Sequence, residues 1–413
     1  MTQLCPAIRS AVLPGKSILR APGHILGRTP GRPLGRRAGY AVLLLFLAAL
    51  PATAADDVQQ SQQADFRLVT LARGLDHPWG MAFLPDEGPG GGGILITERS
   101  GALRLYQNGA LQRAAVDGVP RVAARGQGGL LDIALHPGFI DNGLIYLSYA
   151  GGAGNEAGTE VARARFDGSA LQDLEVIFRA RPKTPGAAHY GGRLAFAPDG
   201  TLYVSLGDRR TYMAEAQRTT SHLGGIMRLN DDGSVPDDNP FVGHADALPE
   251  IFSYGHRNVQ GMAVHPETGA VWAHEHGPRG GDEVNILKAG ANYGWPAITY
   301  GIDYSGTVIS DKTEAPGMEQ PVVYWVPSIA PSGMAFYDGD AFPEWKGDLF
   351  VGALAGRHLR RLELDGNTVT EQEQLLTDLS DRIRDVRAGP DGALYLLTDS
   401  PRGSLLRLEP VGG

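Results

Sequence analysis

Cysteine is nearly absent: Cys5 is the only one in 413 residues. One thiol at the extreme N-terminus excludes a disulfide framework, a thiolate metal site and a cysteine nucleophile in the body of the chain. Cations are also scarce. Residues 1–55 hold seven of the 37 Lys and Arg and none of the 46 Asp and Glu, so the rest carries 30 basic against 46 acidic residues, a net charge of −16. A surface this acidic is a poor match for nucleic acid or an anionic membrane, and neither is expected as a partner. Long apolar runs are missing as well. Ala41–Leu50 is too short to span a bilayer, so no stable membrane insertion is expected. No long segment keeps a helical period.

What the first 55 residues do contain is a basic stretch ending in Arg36-Arg37, that short apolar run, and the small residues Pro51-Ala52-Thr53-Ala54-Ala55. This order reads as a secretory signal peptide over 1–55, cleaved on export, and places the mature protein in the periplasm. The residues after Arg36-Arg37 fit a twin-arginine signal poorly. A linker over 56–65 and one domain over 66–413 follow. Without disulfides, that domain must draw its stability from a large core, and it is long enough to bury one.

Glycine is abundant, at 57 residues. It recurs in a pattern of short apolar strand, Pro/Asp/Gly turn and second apolar strand. Leu194-Ala195-Phe196-Ala197-Pro198-Asp199-Gly200-Thr201-Leu202-Tyr203-Val204 is the clearest copy. Equivalent positions fall at Ala82, Ala134, Ala195, Ala263, Ala335 and Arg387, spaced by 52, 61, 68, 72 and 52 residues. A β-sandwich uses the same turns but has no such long repeat. The pattern predicts an all-β, six-bladed β-propeller of four-stranded antiparallel blades. Phe66–Ala72 is expected to complete the last blade beside Ser404–Glu409, and binding is expected at one end of the central channel.

Four groups of residues carry chemistry. His276-Gly277-Pro278-Arg279-Gly280-Gly281-Asp282-Glu283, running on to Asn292-Tyr293-Gly294-Trp295-Pro296, cannot be helix and is a poor central strand. It reads either as a tight turn with a solvated acidic pair or as a loop baring carbonyls for a hard cation such as calcium. His189 lies just before the third repeat, and Asp208 ends the neighbouring strand. Either His189 is a surface residue, or the carboxylate orients it as a general base. Arg257, Arg382 and Arg384 adjoin the repeats and suit a ligand with several carboxylates, unless they pair with acids such as Asp381 and Asp385. Gln127 occupies the matching place in the second repeat. The acidic run Asn230–Asp238 lacks the distal Glu of a calcium loop and reads as turns.

Taken together, Gly126–Asp132, His189–Arg193, Gly225–Phe241, Tyr254–Gly261, His276–Pro296 and Arg382–Gly392 resemble the soluble periplasmic aldose sugar dehydrogenases that use pyrroloquinoline quinone (PQQ), the glucose/sorbosone dehydrogenase family. The resemblance covers essentially all of 66–410. It implies that His189 takes the sugar C1 hydroxyl proton with Asp208 as its partner, and that hydride passes from C1 to the quinone. It implies that Gly277 and Pro278 carbonyls hold a cofactor-bound Ca2+, and that Glu283 and Tyr293 hold a second calcium. Gln127, Arg257, Asn258, Tyr304, Ala353, Ala355, Arg382 and Arg384 match cofactor contacts. One position departs from the family, which commonly has Lys after Ala-Leu where this chain has Ala355. Arg357, two residues on, is the available substitute. Trp325 with Tyr324 matches an aromatic wall near the sugar. An aldose is the implied substrate; the electron acceptor is not named by any motif, and a monomer or homodimer is expected. Two other readings of a propeller stand beside this one: a calcium-dependent sugar lactonase, favoured if the arginines lie on the outside, and a non-catalytic binding module.

Overall fold

The computed structural model describes residues 58–411. The signal peptide and Cys5 lie outside the described residues, as does the start of the linker. The predicted fold is the observed one: six antiparallel sheets, each of at least four strands in sequence order, form a six-bladed β-propeller. The innermost strands are Pro78–Leu84, Leu130–Leu135, Leu194–Phe196, Val259–Val264, Pro331–Phe336 and Ile383–Ala388. These are the six repeats. Each blade is numbered here by its innermost strand.

The turns follow from local chemistry. In Pro198-Asp199-Gly200, Gly200 takes φ +83°, and Asp199 Oδ1 accepts from the Thr201 amide at 3.0 Å and the Thr201 hydroxyl at 2.7 Å. The side chain thus closes the turn that the backbone leaves open. The ring closes as predicted: Phe66–Leu75 pairs antiparallel with Gly403–Pro410, from Phe66 opposite Pro410 to Leu75 opposite Gly403. The N-terminal strand thus completes the blade that the last three strands begin, and this closes the ring. Val58–Gln59 adds a short strand outside Phe66–Leu75.

The core is divided among the seams. Six apolar clusters each join two neighbouring blades, for example Leu95 and Leu103 with Ile133 and Ile145 between blades 1 and 2, and Ile94 and Ile96 with Leu397 and Leu405 between blades 6 and 1. Each buried Leu or Ile stabilises by about 1.5–3 kcal/mol relative to leaving it exposed, so the ring is held by its seams. No helix among the described residues is long and apolar enough to cross a membrane.

At the waist of the channel the inner strands meet through charge. Arg193 Nη1 lies 3.2 Å from Asp132 Oδ1 and 2.9 Å from Asp385 Oδ1, and Arg387 reaches the same two carboxylates at 2.9 and 3.0 Å. Arg193 also donates to the carbonyls of Gln260 and Arg384. Gly80 and Gly333 make room, since a Cβ on either would sit 2.4 or 2.1 Å from the carboxylate of Asp132 or Asp385. Two aspartates and two arginines balance, which is what a buried charge requires. Sequence reading gave Asp132, Arg193 and Arg387 no role and offered Asp385 only as a partner for Arg382 and Arg384.

Candidate active site

His189 sits in the loop before the inner strand of blade 3, with a left-handed φ of +51°. Side chains rarely adopt this conformation unless the surroundings impose it, and such positions concentrate at functional sites. Here the His189 amide donates to Gln127 Oε1 at 2.7 Å. Gly207, where a Cβ would lie 2.4 Å from the His189 carbonyl, lets the neighbouring strand end close against it. That approach brings Asp208 Oδ1 to 2.6 Å from His189 Nδ1. Asp208, fully buried, also accepts from Trp295 Nε1 at 2.9 Å and from the Arg210 amide at 2.7 Å.

Three accepted bonds hold the Asp208 carboxylate fixed as an acceptor, so its bond to Nδ1 assigns the proton to that nitrogen. Nε2 is left with its lone pair, and no described residue hydrogen-bonds it. Burial is the main influence lowering the His189 pKa below its ordinary value; the charges of Arg257 and Arg210 act in the same sense, and Asp208 opposes them. The imidazole is therefore neutral at neutral pH and able to accept a proton at Nε2.

Next to this pair, the end of the channel opens into a cavity of about 230 Å³ whose lining includes Gln127, Asn258, Gln260, Arg382 and Arg384 with the rings of Trp79 and Tyr190. Arg382 Nε and Arg384 Nη2 share one carboxylate, Asp399 Oδ2, at 3.2 and 3.4 Å. Burial alone would raise the Asp399 pKa, but the two guanidiniums and His77, at 2.9 Å, hold it well below the usual range. Burial pulls Arg384 down to about 10, which still leaves it charged at neutral pH. The expected partners Asp381 and Asp385 are not the ones used: Asp385 is committed to the waist.

The His276–Pro296 loop is not a solvated acidic turn. Asp282 is fully buried and accepts from the amides of Gly277, Ile329 and Ala330 and from the Ser328 hydroxyl at 2.7–3.0 Å, tying the loop to blade 5. Burial raises its pKa to about 6. Glu283 faces Glu275 across paired strands, and burial together with that neighbouring charge raises the Glu283 pKa. Glu275 is engaged by His256 Nδ1 at 2.9 Å and by the Arg257 amide, whereas Glu283 has only the amide of Asn285, at 3.3 Å. A void of about 10 Å³ lies among Glu275, Gly277, Glu283 and Tyr293. The Tyr293 phenol is turned into its own hairpin, bonded to the Ile286 carbonyl at 2.6 Å. Among the described residues no three His, Cys, Asp or Glu side chains gather as a metal site.

The candidate residues thus fall into two neighbouring groups. Gln127, Asn258, Arg382 and Arg384 line the cavity. Arg257 does not join the other two arginines: its Nη1 donates to the carbonyls of His276 and Gly277 at 3.0 and 2.8 Å. Tyr304 is exposed on the rim, its ring 5.6 Å from the Arg210 guanidinium and 5.9 Å from that of Arg257. Pro278 is buried against Gly301. Ala353 ends a buried strand, and Ala355 lies in the following turn, its amide bonded to the Ile329 carbonyl. Arg357 does not replace the expected lysine, because its Nη1 donates to the Ser380 carbonyl at 3.0 Å and it does not line the cavity. The anticipated aromatic wall is also elsewhere: Trp325 is buried between blades 4 and 5 with Nε1 on Gln372, and Tyr324 stacks on Tyr300. The rings at the site are Trp79, Tyr190 and Trp295. Asp399 and Arg99 were missed, although both directly follow a blade's second strand, as Ala353-Leu354-Ala355 closes that of blade 5.

A propeller with an oriented histidine beside an arginine-lined cavity sets a proton acceptor next to a place where an anion can be held. The chain belongs to the glucose/sorbosone dehydrogenase family, whose model matches residues 75–407, and it is an oxidoreductase. It is 49% identical over 341 residues to the aldose sugar dehydrogenase YliI of Escherichia coli (strain K12), covering 81% of this chain and 91% of that one. The apo-form crystal structure of the soluble aldose sugar dehydrogenase from Escherichia coli superimposes with a TM-score of 0.80 at 47% identity, covering 84% of this chain and all of that one. The PQQ-bound form of an aldose sugar dehydrogenase from Streptomyces coelicolor matches with a TM-score of 0.68 at 29% identity, over 84% of this chain and 100% of that one.

Proposed function

We propose that this protein is a periplasmic, PQQ- and calcium-dependent dehydrogenase that oxidises the C1 hydroxyl of aldose sugars to lactones, with His189 as general base. The observation that carries the reading is the buried His189–Asp208 pair, its free Nε2 beside a cavity where arginines outnumber carboxylates. The residues present suit the cofactor. PQQ is a planar tricarboxylate, and the cavity offers Arg382 and Arg384 against the single Asp399, three amide side chains, and flat rings at its wall. They also suit calcium. Glu283 is a half-buried acid beside another acid with no cationic partner among the described residues, and loop carbonyls are hard-oxygen donors. The Gly277 carbonyl accepts one bond from Arg257 and keeps a second lone pair. Glu283 and Tyr293 would hold one ion, Gly277 and Pro278 the ion on the cofactor.

When bound, PQQ supplies the hydride acceptor, and its calcium polarises the quinone carbonyl. The chain does the rest. His189 Nε2 takes the C1 hydroxyl proton as the C1–H bond breaks and C1=O forms. Asp208 holds the ring in the correct tautomer and stabilises the imidazolium. Trp295 and the Arg210 amide hold Asp208 in turn. Arg382 and Arg384 fix the cofactor's orientation. The names of the two aldose sugar dehydrogenases support the substrate class, the PQQ-bound form supports the cofactor, and the basic, apolar, small-residue order of 1–55 supports export. Arg257 and Arg384 are buried, and Arg382, its side chain 42% exposed, lines the same cavity as Arg384; that the three are not scattered over the outside supports this reading over a lactonase.

Reconstitution tests this. Purified apo-protein loaded with PQQ and calcium is expected to reduce an artificial dye in the presence of aldoses. Absence of both PQQ binding and dye reduction with any aldose would contradict the assignment.

A further inference from the structure

Arg99 is a cation in the cavity wall without a hydrogen-bonded or ion-paired partner among the described residues. It follows the second strand of blade 1, Gly93–Glu98. Its main chain is clamped: the amide donates to the His77 carbonyl at 3.1 Å and the carbonyl accepts from Leu130 at 3.2 Å. Gly129 packs so tightly on that carbonyl that a Cβ there would lie 1.8 Å from it. The backbone is thus fixed at the junction of blades 1 and 2, and the half-buried side chain lines the same cavity as Arg382 and Arg384. Its guanidinium makes no hydrogen bond or ion pair with any described residue. Its charge nevertheless reaches the group, since it adds to that of Arg382 in keeping Asp399 ionised and in opposing protonation of Arg384.

The cavity therefore holds three guanidiniums against one carboxylate. Like charges gathered at one wall repel, and a set of this kind is stabilised only when an anion arrives. The opposite flank of blade 6 has no such group. There blade 5 presents Leu354 beside Ala355, and Arg357 is tied to the Ser380 carbonyl.

We infer that Arg99 anchors the bound cofactor, its guanidinium taking a ligand carboxylate and supplying from blade 1 the third positive charge that blade 5 lacks. The inference rests on the PQQ reading above. Arg99 touches the ligand but takes no part in the proton transfer, so it is a binding residue. A planar fork with five donors suits a carboxylate in two-point contact, and a lysine would meet it at one point only.

The test is titration of the purified full-length protein with PQQ in the presence of calcium, followed by the change in PQQ absorbance, for wild type, Arg99→Gln, Arg99→Lys and Arg357→Gln at two salt concentrations. Arg99→Gln is expected to weaken binding about tenfold or more and to flatten its salt dependence, because a charge-assisted bond is lost. Arg99→Lys should recover part of the loss, and Arg357→Gln should bind as wild type does. Apo Arg99→Gln should unfold at the wild-type temperature, because the side chain has no protein partner to lose. Binding by Arg99→Gln within about twofold of wild type, with the same salt dependence, would overturn the inference while leaving the cofactor assignment intact. Weaker binding accompanied by loss of apo stability would also overturn it. Failure of the wild type to bind PQQ would overturn the cofactor assignment and this inference together.

Discussion

The two mouths of the central channel are built by the same six inner strands and have opposite chemistry. At one, a cavity of about 230 Å³ is walled by arginines, amides and a carboxylate. At the other, a larger opening of about 370 Å³ is walled chiefly by Met81, Phe83, Leu135, Phe196, Met334 and Phe336 and their small neighbours. The charged waist of Arg193, Asp132, Asp385 and Arg387 lies between. The cause is connectivity. At the apolar mouth the first and second strands of a blade are joined by connections such as Pro198-Asp199-Gly200 and Pro390-Asp391-Gly392, whose aspartates close their own turns and pair with Arg228 and Arg407 of the same blade. At the polar mouth the chain crosses between blades and turns from second to third strand. The connections there deliver Gln127, His189, Asp208, Arg382 and Asp399. Convergent polarity marks the working end, and cavity size does not.

Several substitutions would break or sharpen this contrast. His189→Ala removes the proton acceptor and is expected to lower kcat by about 10²–10⁴-fold while PQQ still binds, read by steady-state dye reduction beside a binding titration. Asp208→Asn keeps the shape but loses the charge that selects the tautomer. A smaller loss of about 10²-fold is expected, borne mostly by kcat. At the waist, Arg193→Met leaves Asp132 and Asp385 short of a buried counter-charge and should cost about 3–5 kcal/mol, read from urea unfolding. The pH dependence follows from the lowered His189 pKa. Only the neutral ring accepts a proton, and the neutral form persists below the ordinary histidine value. The acid limb of kcat/KM should therefore have its midpoint below pH of about 6.5, with activity lost as pH falls through it. An acid limb above that value would mean the ring is not held as described. The smallest effect belongs to the apolar mouth, where Ala263→Ser should leave kcat/KM within about twofold.

The fold was legible because its information is local. Alternation along Leu194–Phe196 and the turn chemistry of Asp199 and Gly200 are written in consecutive residues, and six copies disclose a ring. Half of the site was legible for the same reason: His189 precedes the inner strand of blade 3 and Asp208 follows the strand paired with it, while Arg382 and Arg384 lie two apart at the start of blade 6's inner strand. The rest depends on ring closure. Arg99 and Arg382 are far apart in sequence and adjoin only because Phe66–Leu75 completes blade 6 beside blade 1. Asp399 carries no signal of its own in the sequence, and only the fold brings both arginines to it. Arg257 shows the reverse, since it lies next to Asn258 in sequence, yet its guanidinium turns to the His276 and Gly277 carbonyls while Asn258 lines the cavity.

The most direct test of the account is a single turnover without any electron acceptor. Protein loaded with PQQ and calcium is mixed with excess aldose, and the quinone absorbance is followed in the wild type and in His189→Ala. The wild type should bleach rapidly, and the variant, with the cofactor bound, should bleach slower by at least about 10²-fold. Bleaching at equal rates would contradict the assignment of His189 as the base on which the polar mouth is organised.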